Sequence, residues 1–109
     1  MTNFKAIIDF FGLSTEEASA YLGVDQDAVI RWCNMPESPP KEVWRSLVIL
    51  FDTVRFAAED AAKAADLDNI NTADLNTLPI AQHTAGGPAN GPNKAIAAMA
   101  ITSLARAMV

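Results

Sequence analysis

Residues 13–34 read Leu-Ser-Thr-Glu-Glu-Ala-Ser-Ala-Tyr-Leu-Gly-Val-Asp-Gln-Asp-Ala-Val-Ile-Arg-Trp-Cys-Asn, and their punctuation decides the fold. Ser14 followed three positions later by Glu17 is the reciprocal arrangement of a capping box, which opens a helix. Ala18, Tyr21 and Leu22 give that helix one apolar face, and small residues at Ala18, Ser19 and Ala20 let a neighbour approach closely. Gly23 supplies the left-handed residue on which helices often end. Asp25 is placed to cap a second helix, which carries Val29, Ile30 and Trp32. Two short helices around a tight turn form a helix-turn-helix.

Working outward, Phe4, Ile7, Ile8 and Phe11 fall at i, i+3, i+4 and i+7, predicting a first helix over 3–12 with Asn3 as cap and Gly12 as stop. After the motif, Met35-Pro-Glu-Ser-Pro-Pro breaks the chain. A long helix is expected from Ser38 or Pro39 to about Ala65. Val43, Leu47, Leu50, Val54, Ala57 and Ala61 recur along it at heptad-like spacing, and Trp44, Val48 and Phe51 widen the stripe. Residues 66–82 are turn-rich, with one helical turn expected near Thr72. The glycines and prolines between His83 and Asn93 have the composition of a flexible linker. Lys94–Met108 is expected to form a last helix, capped by Asn93, that either docks on the bundle or binds a protein partner. The expected fold class is all-α, divided into a helix-turn-helix unit with its long helix (1–65), a turn-rich segment and linker (66–93), and a C-terminal helix (94–109).

At residues 13–34 the chain resembles the repressor-type (Xre/Cro-like) helix-turn-helix family, with Leu13, Ser14, Leu22, Gly23, Val24, Val29, Arg31 and Trp32 on or close to the family pattern. Thr15, Ser19, Cys33 and Met35 depart from that pattern. The Pro-Pro-Lys-Glu-Val-Trp-Arg-Ser-Leu run at 39–47 resembles the stretch where the family starts its next helix. The likeness covers roughly the first half of the chain. Within the family, the opening and the length resemble anti-CRISPR-associated phage regulators. The resemblance implies that the second motif helix enters the major groove of double-stranded DNA.

Composition sets bounds on these expectations. A chain of 109 residues, 50% apolar and rich in alanine, fits one small helical domain. A single cysteine, Cys33, suits a reducing compartment, and the N-terminus lacks the pattern of a signal peptide, so a cytoplasmic protein without a membrane span is expected. The net charge of −5 weighs against nucleic-acid binding, for which basic domains are usual. Residues 1–56 do not reverse the balance, carrying Lys5, Arg31, Lys41, Arg45 and Arg55 against eight carboxylates. His83 has no second ligand at metal spacing, Asp66, Asp68 and Asp74 lack the glycine and terminal Glu of a calcium loop, and Cys33 has no activating His at motif spacing. Neither an enzyme nor a cofactor or metal site is expected.

The candidate DNA-binding residues are Ser14 and Thr15 at a helix N-terminus, Gln26, Asp27, Ile30, Arg31 and Asn34 on the second motif helix, and Lys41 and Arg45 beyond it. Gln26 matches an adenine edge and Arg31 a guanine edge or a phosphate, whereas Asp27 can take a cytosine amino group but repels phosphates. Each is equally an ordinary solvated helix residue. Leu47, Leu50, Phe51, Val54 and Ala58 are the candidate oligomerisation residues. Three functions compete: a dimeric transcriptional regulator on an inverted repeat, a DNA-packaging protein resembling phage small terminase subunits that forms a ring, and an adaptor whose motif binds protein.

Overall fold

The fold is all-α. The computed structural model describes residues 1–80 and 91–109, and contains helices α1 (Asn3–Phe10), α2 (Thr15–Leu22), α3 (Gln26–Asn34), α4 (Lys41–Ala64) and α5 (Gly91–Met108). Short 3-10 turns at Leu67–Asn69 and Thr72–Thr77 lie between α4 and α5. No helix among the described residues is long and apolar enough to cross a membrane.

Thr2, not Asn3, caps α1, because Asn3 is already helical and the Thr2 hydroxyl accepts from the Lys5 amide at 3.1 Å. The same hydroxyl donates to the Trp32 carbonyl at 2.7 Å, fastening the start of α1 to the last turn of α3. The helix ends two residues before the expected boundary, with Phe11 as its C-cap and Gly12 left-handed at φ 67°. α2 carries the complete capping box: Ser14 Oγ accepts from the Glu17 amide and Glu17 Oε1 accepts from the Ser14 amide, both at 3.0 Å.

The turn between α2 and α3 is fixed by the backbone of Ser19. Its carbonyl accepts from the amides of Gly23 and Val24 at 2.9 and 3.2 Å, while its hydroxyl donates to the Val24 carbonyl. This gives Ser19 a second role at a position read as merely small. Gly23 has φ 68°, and a Cβ there would touch nothing, so the demand for glycine is purely conformational. Asp25 stands at the N-cap of α3, but its side chain caps no amide, contrary to expectation.

α4 starts at Lys41 rather than at Ser38 or Pro39. Ser38 and Pro39 each precede a proline, whose ring disfavours the helical region for the residue before it, so the helix begins once both prolines are past. Its inward stripe of Val43, Leu47, Leu50, Val54 and Ala58 joins Phe4, Ile8, Phe11, Ala18, Val29 and Trp32 in one core. The oligomerisation reading is corrected here: Leu47, Leu50, Val54 and Ala58 are buried within a single chain, leaving only Phe51 of that set exposed. Heptad-like spacing identifies a seam but not whose helix fills it.

That helix is α5. It packs along α4 and against the second 3-10 turn, burying Ala95, Ile96, Ala100 and Leu104. It begins at Gly91, three residues before the expected start, with Pro92 in its first turn and Asn93 inside it rather than capping it. Among the described residues preceding it, Asp66 and Asn71 each cap a 3-10 turn, and Ile80 packs on the core. His83 and residues 83–90 of the expected linker lie outside the described residues.

Candidate nucleic-acid interface

The outward side of α3 is built from residues that the core does not use. Val29 and Trp32 face inward, whereas Gln26, Asp27, Ile30, Arg31 and Asn34 are all exposed. Ile30 is 47% exposed, in keeping with its place among the outward candidates. The helix is held by Trp32, which packs edge-on to Phe4 with ring centroids 5.6 Å apart. Its indole N–H donates to Glu37 Oε2 at 3.0 Å.

Glu37 also accepts from Arg31 Nε at 2.9 Å, an interaction missed by reading the motif as ending at Asn34. The Arg31 guanidinium holds the Glu37 carboxyl below its ordinary value of 4.5, with the Trp32 N–H adding to the effect. Binding through Nε leaves the two terminal amino groups of Arg31 without a partner among the described residues. A carboxylate thereby orients the fork that the sequence assigned to guanine. Asn34 is less available, since its Nδ2 donates to the Ile30 carbonyl at 2.9 Å.

The same contacts set a pH dependence. Because the folded-state pKa of Glu37 is lowered, its contribution to stability is complete above the unfolded value and is lost as pH falls through the folded one. The Trp32 indole proton resonance is therefore expected to shift on acidification, with a midpoint below 4.5. Glu37→Gln abolishes this titration; an NMR titration that leaves the shift intact in the variant removes Glu37 as its cause.

Ser14 is occupied by its capping box, and Thr15 beside it is half-buried at the start of α2. Lys41 and Arg45 are exposed on α4, and neither is in an ion pair among the described residues. Around α3 three carboxylates, Asp25, Asp27 and Glu37, stand against the single guanidinium of Arg31, so the local field is acidic. Cys33 is half-buried; burial pushes its thiol up, away from the thiolate a nucleophile needs. Asp66 spends its carboxylate on the Asp68 amide and the Asn69 side chain. No family model matches the chain, and no curated protein or solved structure matches it either.

Proposed function

We propose that the protein is a DNA-binding regulator whose α3 reads base edges in the major groove, working as a dimer on an inverted repeat. The observation that carries this reading is the outward face of α3, where Ile30 stands exposed between Gln26 and an Arg31 fork steered by Glu37. An aliphatic side chain there suits a thymine methyl, and the flanking amide and guanidinium suit adenine and guanine edges. Ser14 and Thr15 at the start of α2, with Lys41 at the start of α4, are the phosphate contacts in this reading. The acidity around α3 makes affinity depend on base contacts more than on charge. The salt dependence is correspondingly shallower than that of a basic domain.

The test is selection from a random DNA duplex library with the full chain at low salt. Enrichment of an inverted repeat is expected, and Gln26→Ala or Arg31→Ala each weakens binding to the selected site by about 1–3 kcal/mol. A library that stays random through repeated rounds, with protein shown to be folded, sinks the reading.

A further inference from the structure

Between α1 and α4 runs an open groove of about 490 Å³ lined entirely by apolar residues. Phe11 and Leu47 are its buried floor, and Phe10, Trp44, Val48 and Phe51 stand along its walls. Val48 is 58% exposed and Phe51 44%, beside the buried stripe of α4. A contiguous apolar strip of this kind marks an interaction surface.

The charges beside the strip select its occupant. Asp52 and Glu59 share the guanidinium of Arg55, each at 3.6 Å, so two carboxylates divide one cation. Arg45, on the same outward side, has no ionic partner among the described residues. Arg45 and Asp52 lie equally far from the midpoint between Val48 and Ile49. In an antiparallel pair of identical helices, residues equidistant from the crossing point face one another. A parallel twofold pair would send the Arg45 and Asp52 of the two copies to opposite flanks and bring no Arg45 to an Asp52.

We infer that α4 pairs antiparallel with α4 of a second copy, crossing between Val48 and Ile49. Arg45 then meets Asp52 of the partner twice, once on each side of the twofold axis, along one flank of the contact. On the other flank the two grooves lie side by side, and Phe10, Trp44 and Phe51 of both copies close over each other. Such a contact is isologous and closes at two subunits, so it makes a dimer and no ring. It gives the dimer of the proposed regulator its surface, and assigns Arg45 to the subunit contact rather than to DNA.

The test is sedimentation equilibrium of the full chain over a range of concentrations. The unaltered chain is expected to be a dimer, and Val48→Asp or Phe51→Asp a monomer with undiminished helical circular dichroism, since both positions are exposed. Arg45→Asp and Asp52→Arg each weaken the dimer about tenfold, as two half-exposed pairs become repulsive, and the double variant R45D/D52R recovers it. Recovery separates a facing pair from general charge effects. A monomeric unaltered chain overturns the inference, as does a ring or a dimer indifferent to Val48→Asp and to the charge swap. A monomer carrying a co-purified apolar ligand in native mass spectrometry also overturns it, by giving the groove another occupant. A dimer that selects no DNA defeats the regulator and leaves this interface standing; a monomer that selects DNA does the reverse.

Discussion

Phe11→Ala lowers folding stability by about 3–5 kcal/mol, the usual loss when a buried phenylalanine is truncated, whereas Phe10→Ala, one position away, leaves the monomer nearly as stable. The neighbours differ because Phe11 is 0% exposed and Phe10 48%. Phe11 ends α1 as its C-cap and packs into the core shared with α4, so its removal opens a cavity beneath the groove. A domain of this size has a total stability of about 5–15 kcal/mol, so the variant stands close to unfolding. Phe10 touches Phe11 edge-on at 5.3 Å but gives most of its surface to the groove mouth. Its truncation is expected to weaken self-association instead. Urea unfolding reads the first effect as a lower midpoint at constant slope, and sedimentation reads the second. Equal losses of stability from both variants would mean that Phe10 is a core residue and not part of an interface.

This pair also shows which features were legible from residues alone. The spacing of Phe4, Ile7, Ile8 and Phe11 located α1 and its inward face, because amphipathic periodicity is local. Ser14, Glu17 and Gly23 placed the boundaries of α2 for the same reason: a capping box and a left-handed glycine act within a few residues. The apolar repeat of α4 was equally visible, yet its partner was not. Leu47, Leu50, Val54 and Ala58 meet α5 and the motif helices of the same chain, and those contacts span sequence distances that periodicity does not record. The side left open carries Val48, Ile49, Phe51 and Phe56, which lie off the heptad seam. Glu37 escaped notice because its two donors, Arg31 and Trp32, meet it only after the chain turns at Pro36. The outward set on α3 was read correctly as exposed, but exposure cannot distinguish a base-reading face from a solvated one.

Ile96→Asp is expected to detach α5, at a cost of at least about 3 kcal/mol, because it leaves a charge buried without a partner. Ile96 is fully buried, and Ala95, Ala100 and Leu104 are buried along the same helix. Helices in proteins draw most of their stability from packing of an apolar face, so without its seat on α4 the 18-residue α5 is expected to fray. The damage should be unequal along the chain. α5 packs on α4 and the Thr72–Thr77 turn, whereas α1, α2 and α3 hold each other through Trp32, Phe4 and the Ser19 turn. Hydrogen exchange should therefore show protection lost first in α5 and the distal half of α4, with the α3 amides retained. Ser103→Asp, at an exposed position of the same helix, is the matched control and should change little. Detachment is also expected to uncover the distal part of the buried α4 stripe, Val54 and Ala58. Any added association in Ile96→Asp should then be non-specific and survive Val48→Asp, whereas the dimer formed through Val48 and Arg45 should not. If Ile96→Asp and Ser103→Asp exchange alike, α5 contributes no packing energy, and α4 presents two open faces rather than one.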